Sequence, residues 1–166
     1  MKKEKPIAAL FDFDGVVVDT EPQYTEFWDK KGKIYHPEIP DFGYHIKGQT
    51  LTQLYEHYFL QPEGLQAQIT RELNEFETHM DFNFIPGVVD FMTELRRNGV
   101  KTAIVTSSNN KKMSNAYRAH PELLDMVDYI LTADMFTHSK PHPECFLLGA
   151  KVFDLPIENC VVFEDS

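Results

Sequence analysis

The sequence predicts an α/β fold in which a parallel β-sheet core is interrupted by an inserted α-helical segment. Two patterns indicate this class. Short apolar runs alternate with segments of helical spacing, and one long stretch between the first two apolar runs contains no strand-like run. The chain has 166 residues, of which 42% are hydrophobic and 13% aromatic. That is enough for one domain with a buried core and a smaller insert, and it argues against disorder.

The predicted core begins with residues 7–11, an apolar run that ends in charge and indicates a buried parallel strand. Three further strands and three intervening helices follow. The strands are residues 100–105, 126–131 and 159–163, and the helices are residues 86–97, 107–119 and 143–153. We expect Ser107 or Ser108 to cap the second helix. This alternation is typical of right-handed crossovers around a parallel, Rossmann-like sheet.

Residues 18–82 form the predicted insert, in which aromatic and polar residues replace the apolar runs. Three helices are predicted there, at residues 21–31, 50–59 and 62–79, and a connector rich in proline and glycine joins the first two. The last of them places Leu65, Ile69, Leu73 and Phe76 on one face. The prediction is therefore a helical insert of residues 18–82 in a core of residues 1–17 and 83–166.

Charge and composition exclude several classes of partner. The formal net charge is −10, which repels phosphate backbones and anionic lipids, so we expect neither nucleic acid nor a membrane as a partner. The two cysteines, Cys145 and Cys160, form no Cys-x-x-Cys pair and indicate buried thiols in a reducing cytoplasm. No apolar run is long enough for a membrane span, and the short run after the lysine-rich start does not fit a signal peptide.

Polar residues follow each predicted strand at or beyond its end. In chain order they are Asp12 and Asp14, then Thr106, Ser107, Ser108 and Asn109, then Lys140 after a connector, and finally Glu164, Asp165 and Ser166. Ligands of open parallel sheets bind beyond the carboxyl ends of the strands. We therefore expect these four stretches to converge on one rim of the sheet.

Asp12 and Asp14 carry the strongest chemical signal. Residues two apart on an extended chain project to the same side, and two carboxylates there repel unless a cation or a shared proton compensates them. One can act as a nucleophile and the other as an acid and base. The alternative is a turn at Asp14–Gly15 with Asp12 as a cap. Phe11 and Phe13 flank the pair and would exclude water, which favours a site.

Glu164 and Asp165 supply further hard oxygen ligands of the kind that Mg²⁺ prefers. The alternative is a surface loop, but an acidic pair held against Asp12 would lack compensation, and a metal ion supplies it. We therefore predict Mg²⁺ at this rim. The seven histidines show no metal-ligand spacing and are assigned no role.

An anion site is predicted beside the carboxylates. Thr106, Ser107 and Ser108 offer hydroxyl groups and backbone amides at a helix start, although a simple helix cap is the alternative. Lys140 lies in a proline-rich loop, where a fixed cation would neutralise a phosphoryl group and the neighbouring aspartates.

These residues together resemble the motifs of the haloacid dehalogenase-like superfamily. The four matching stretches are Phe11-Asp12-Phe13-Asp14-Gly15-Val16 with Asp19-Thr20, then Thr106, then Lys140-Pro141, and then Glu164-Asp165-Ser166. Their order and their positions at strand ends agree with the family over nearly the whole chain. The resemblance is greatest to the β-phosphoglucomutase-like and sugar-phosphatase branch, in which a helical cap separates the first two motifs, as residues 18–82 would here.

The resemblance implies a role for each residue. Asp12 would attack the phosphoryl group to form an aspartyl phosphate, and Asp14 would protonate the leaving group and then activate water. Thr106, the amides that follow it and Lys140 would bind the phosphoryl oxygens.

The resemblance also implies a metal site. Asp12, the backbone carbonyl of Asp14, and Asp165 would hold Mg²⁺, with Glu164 in support. Gly48 would lie in the cap loop that approaches the substrate. The presence of Asp14 argues against dehalogenation, because dehalogenases of this family lack that second aspartate.

Two departures from true β-phosphoglucomutases favour hydrolysis. Tyr24 stands where those enzymes have a histidine, and Leu51 stands where a cap arginine grips a second phosphate. The expectation is therefore a phosphatase acting on a small phosphorylated metabolite such as a sugar phosphate. A phosphomutase is the alternative, and a non-catalytic acidic binding domain is a third. The sequence does not predict the oligomeric state.

The chain stops at Ser166, directly after the fourth motif, whereas the family continues with another helix, strand and helix. We therefore expect a core truncated at its C-terminal end. An uncovered apolar strand edge there would reduce solubility.

Overall fold

The computed structural model describes residues 7–165, which fold as two compact units. The first unit comprises residues 7–19 and 82–165, and the second is Thr20–Asp81. Ser166 of the fourth motif and residues 1–6 of the predicted core lie outside the described residues. No helix within residues 7–165 combines the length and the apolar character needed to cross a membrane.

The first unit is built on a sheet of four parallel strands in the order β3-β2-β1-β4. The strands are β1 (Ala8–Phe11), β2 (Lys101–Val105), β3 (Tyr129–Leu131) and β4 (Cys160–Phe163). Every residue of β1 is buried, as expected for a strand with parallel neighbours on both sides. The prediction of an α/β fold with a parallel sheet is confirmed.

Eight α-helices lie within residues 7–165. They are α1 (Glu21–Tyr35), α2 (Phe42–His45), α3 (Leu51–Tyr58), α4 (Leu65–Thr78), α5 (Val88–Arg97), α6 (Asn110–Ala119), α7 (Leu123–Met126) and α8 (Glu144–Lys151), with 3₁₀ turns at Ala133–Met135 and Ile157–Asn159. The first four belong to the second unit and the last four to the first.

The structure corrects two details of the predicted core. The third strand begins at Tyr129 rather than at residue 126, because α7 occupies the start of that segment. The cap of α6 is Asn109 rather than Ser107 or Ser108, since its side-chain oxygen accepts a hydrogen bond from the amide of Lys112 at 3.0 Å.

The predicted helices of the insert also differ from the structure in two places. α1 runs to Tyr35, past the predicted end at residue 31, and the connector that follows contains the short helix α2.

One face of the sheet packs against α8. Ala8, Leu10, Ala103, Val105 and Leu131 form an apolar cluster with Cys145 of that helix. A Cβ at Gly149 would lie only 3.0 Å from the side chain of Leu10, so the helix approaches the sheet closely. Cys145 is fully buried, as predicted, and burial raises the pKa of its thiol; Cys160 is only half-buried.

The second unit has an apolar core of its own. Phe27 and Trp28 of α1 pack with Phe42 and Phe59, and the predicted face of α4 is buried against them through Leu65, Ile69 and Leu73. α1 and α2 are in close contact, because a Cβ at Gly32 would lie 2.2 Å from the Cβ of Phe42.

Candidate active site

Asp12 directly follows the carboxyl end of β1, and hydrogen bonds fix its backbone and its carboxylate. Its amide donates a hydrogen bond to the carbonyl of Phe163 at 2.9 Å, and its Oδ1 accepts one from the amide of Phe13 at 2.7 Å. The ring of Phe11 stacks on that of Phe163 with centroids 4.6 Å apart, and Phe13 is fully buried. Asp12 is therefore held next to the end of β4, between two buried aromatic residues.

A tight turn follows Asp12. The amide of Val17 donates to the carbonyl of Phe13 at 2.8 Å, and the amide of Gly15 donates to the carbonyl of Val18 at 2.9 Å. Gly15 has φ +74°, and a Cβ there would lie 2.0 Å from Oδ2 of Asp165. Glycine is thus required both for the backbone conformation and to admit the Asp165 carboxylate.

Because of this turn, the Asp14 carboxylate has different hydrogen-bond and ion-pair partners from the Asp12 carboxylate. Its Oδ2 accepts a hydrogen bond from Oγ of Ser108 at 2.9 Å, and both of its carboxylate oxygens lie 2.6 Å from Nζ of Lys112. The turn at Asp14–Gly15 that the sequence offered as the alternative is present, and its Asp14 carboxylate contacts Ser108 in the loop after β2 and Lys112 of α6.

Lys112 is a site residue that the sequence patterns did not predict. The residue is 5% exposed and lies on the face of α6 that also buries Met113 and Ala116, whereas Lys111 is exposed. A lysine at a buried helical position was the available signal, because lysine is almost never fully buried without a partner.

Asp12, Glu164 and Asp165 form a carboxylate cluster, with one ligand atom from each within 4.8 Å of the others. Burial raises the pKa of Asp12 to about 7, while Lys140 opposes the rise and Glu164 adds to it. Burial and the charge of Glu164 raise the pKa of Asp165. Oxygen donors that repel one another in this way fit a hard divalent cation. The Asp14 carboxylate lies with Ser108 and Lys112 instead.

Lys140 reaches this cluster from the loop before α8. Its Nζ lies 2.9 Å from Oδ1 of Asp12 and 2.5 Å from Oε2 of Glu164. Burial lowers the pKa of Lys140, but the two carboxylates outweigh that effect and raise it above its ordinary value, so the side chain is a cation.

Glu144 anchors the Lys140 loop. Its carboxylate accepts hydrogen bonds from the amides of Thr137 and His138 at 2.8 and 2.9 Å and lies 2.5 Å from Nδ1 of His138. His142 joins this group, with one ligand atom of each residue within 4.8 Å of the others. The sequence had indicated no such cluster, because the histidine spacing is that of a loop rather than of a helix or a zinc finger.

The remaining predicted site residues lie in two places. Thr106 is fully buried at the end of β2, where its Oγ1 accepts a hydrogen bond from the amide of Ser108 at 3.0 Å, while Ser107 is exposed. Gly48 belongs to the second unit, has φ +78° and has open space where a side chain would be.

Comparison with known proteins identifies the family. A sequence model described as haloacid dehalogenase-like hydrolase matches residues 8–166. The chain belongs to the haloacid dehalogenase-like hydrolase family.

Relatives of this hydrolase include named phosphatases. It is 29% identical over 165 residues to hexitol phosphatase A of Escherichia coli, and the alignment covers 95% of this chain and 73% of that enzyme. It is also 29% identical over 167 residues to the phosphorylated carbohydrates phosphatase of Thermotoga maritima, with 96% and 76% coverage. These matches confirm the predicted superfamily, its sugar-phosphatase branch and a phosphatase-type hydrolase.

A solved structure shows the same fold. The crystal structure of β-phosphoglucomutase from Clostridium difficile aligns with a TM-score of 0.75 and 24% sequence identity, covering 98% of this hydrolase and 77% of that chain.

Proposed function

We propose that this hydrolase is a magnesium-dependent phosphatase that hydrolyses a small phosphorylated metabolite, with sugar phosphates as the substrate class, through an aspartyl phosphate on Asp12. One observation carries the proposal. Asp12 and Asp14 are two residues apart but have separate partners: Asp12 has Lys140 and the carboxylate cluster, and Asp14 has Ser108 and Lys112. Two carboxylates in different surroundings are suited to different tasks.

The reaction has two steps. In the first, which Asp14 enters in its protonated form, a carboxylate oxygen of Asp12 attacks phosphorus, the bond from phosphorus to the ester oxygen breaks, and Asp14 gives its proton to the departing oxygen. In the second, Asp14 takes a proton from water, whose oxygen attacks the phosphorus of the aspartyl phosphate. The bond from phosphorus to the Asp12 oxygen breaks, inorganic phosphate leaves, the carboxylate of Asp12 is restored, and Asp14 keeps the proton for the next turnover.

Two sets of residues are assigned to phosphate binding and to metal binding. Lys140, Thr106 and the amides of Ser107 and Ser108 bind the phosphoryl oxygens. Asp12, Glu164 and Asp165, together with the backbone carbonyl of Asp14, would hold Mg²⁺. When bound, this ion offsets the negative charge of the carboxylates and the phosphoryl group.

The second unit is assigned the role of a cap, with Gly48 in the loop that approaches the substrate. Tyr24 of this unit donates a hydrogen bond to Glu77 at 2.8 Å, and Leu51 opens α3 with an apolar side chain. Neither supplies a cation for a second phosphate, which favours water over a sugar as the phosphoryl acceptor. The sugar-phosphate class rests on the names of the Escherichia coli and Thermotoga maritima phosphatases. The cytoplasmic location stays a prediction.

The test is phosphate release from a panel of sugar phosphates and pyrophosphate, with Mg²⁺ and with a chelator. Release by the wild type that needs Mg²⁺ and disappears in Asp12→Asn supports the proposal. Asp90→Asn, at an exposed position of α5, is the matched control and is expected to keep full activity. Conversion of β-glucose 1-phosphate to the 6-phosphate without phosphate release would instead identify a mutase. If neither activity is detected, the non-catalytic binding domain is the function that remains.

A further inference from the structure

Each carboxylate of the Asp12–Asp14 pair has its own lysine, and Lys112 is buried. Lys140 contacts Asp12, and Lys112 contacts Asp14. The Lys112 ammonium lies 2.6 Å from both carboxylate oxygens of Asp14, and the Ser108 hydroxyl donates to one of them at 2.9 Å. A contact to both oxygens limits rotation of the carboxylate, and the second donor distinguishes one oxygen from the other.

The backbone that carries Lys112 is itself fixed. Asn109 caps α6 by accepting a hydrogen bond from the Lys112 amide. The amide of Asn110 donates to the Asp134 carboxylate at 2.7 Å, and Oδ1 of Asn110 accepts a hydrogen bond from the Thr132 hydroxyl at 2.9 Å. Lys112 therefore extends from a helix start that is tied to the segment following β3.

We propose that Lys112 is the positioning residue for Asp14. It holds the carboxylate in the orientation from which Asp14 protonates the leaving oxygen and then takes a proton from water. This inference rests on the proposed phosphatase function. In this role Lys112 acts through Asp14, so its loss affects the proton-transfer steps rather than substrate binding.

Comparing esters with different leaving groups distinguishes a loss of acid–base function at Asp14 from a general loss of folded, active enzyme. An alkoxide must be protonated as it departs, whereas p-nitrophenolate is stable as an anion. In Lys112→Met we expect kcat for an alkyl phosphate to fall about 10-fold to 100-fold, because general acid–base catalysis contributes about 10²-fold to 10⁴-fold. With p-nitrophenyl phosphate the pre-steady-state burst keeps its rate, while steady-state turnover falls because water activation still needs Asp14. KM changes little for either ester.

Three further variants serve as controls. Lys111→Met removes the exposed neighbouring lysine and is expected to leave both esters unaffected. In an Asp14→Asn background, Lys112→Met is expected to lower kcat by less than about 2-fold more, because the two residues act as one unit. Ser108→Ala removes the second donor without leaving a buried charge unpaired, and is expected to show the same ester dependence to a smaller degree. It keeps the inference testable if Lys112→Met does not fold.

The experiment is rapid-quench and steady-state kinetics of these variants on both esters, with thermal unfolding as the measure of folding. A raised KM with unchanged kcat would make Lys112 a substrate ligand and overturn the proposal. So would an equal loss of burst rate on both esters, or a full additional loss in the Asp14→Asn background. Wild-type protein that releases no phosphate from any ester with Mg²⁺ would overturn the proposed function itself, and with it this inference.

Discussion

Asp12 and Asp14 differ in electrostatic surroundings although one residue separates them. Burial of the Asp12 carboxylate favours its protonated form, the charge of Glu164 adds to this effect, and Lys140 opposes it. Asp14 is paired with the ammonium group of Lys112. The sequence showed that this pair needs compensation, and the structure provides part of it through two lysines.

The raised pKa of Asp12 makes the metal-free protein less stable as pH rises. Its ordinary pKa is 3.8 and its folded value is about 7, so the folded state binds the proton more tightly than the unfolded chain does. The stability that it contributes is present below about pH 4 and is lost as pH rises through 7. In a chelator, the melting temperature of wild type relative to Asp12→Asn should fall across this range. A difference independent of pH would contradict this assignment.

Gly15→Ala tests the close approach of Asp165. The added Cβ would meet Oδ2 of Asp165 at 2.0 Å, and the backbone is left-handed. We expect Mg²⁺ affinity to fall about 10-fold or more and stability to fall by about 1 kcal/mol or more. Titration calorimetry and denaturant unfolding measure the two effects. Gly99→Ala is the matched control: Gly99 has φ +78° but open space, so stability should fall without any change in Mg²⁺ affinity.

At the scale of elements, apolar runs predicted the four strands, because strands of parallel sheets are near-continuous hydrophobic runs in sequence. Residues 126–128 were the exception. Their apolar start resembles a strand, but the carboxylate of Asp128 accepts a hydrogen bond from the Thr102 amide at 2.9 Å, and α7 precedes it. Lys112 was missed for a related reason: the pattern of α6 does not reveal that its buried face meets a carboxylate 98 residues earlier in the chain.

Glu144 tests whether the Lys140 loop must be held in place. Glu144→Gln weakens the hydrogen bonds to the amides of Thr137 and His138 and removes the charge beside His138. We expect kcat to fall about 10-fold, because small displacements of a positioned group are costly in catalysis. Glu158→Gln, at an exposed position, should have no effect. Unchanged steady-state kinetics in Glu144→Gln would show that the loop does not depend on this anchor.

At the scale of the whole molecule, β4 lies at the edge of the sheet among the described residues, with Val161 and Val162 exposed by 52% and 39%. Unpaired strand edges with apolar side chains promote association. The chain spans about three quarters of the length of the two phosphatases compared above.

The exposed apolar edge at β4 is therefore expected to promote self-association as the protein concentration rises. Val162→Lys places a charge on the edge strand and should reduce the association, whereas Val89→Lys on α5 should not. Size-exclusion chromatography with light scattering measures the mass. A monomer at all concentrations would contradict this expectation.

The account depends most on Asp12 as the nucleophile. The direct measurement is acid quench during turnover with Mg²⁺ and a phosphate ester, followed by peptide mapping by mass spectrometry. We predict a phosphoryl group on the peptide that contains Asp12, more of it in Asp14→Asn when p-nitrophenyl phosphate is the donor, and none in Asp12→Asn. Phosphate release with the phosphoryl group on another residue, or undiminished release by Asp12→Asn, would contradict the account.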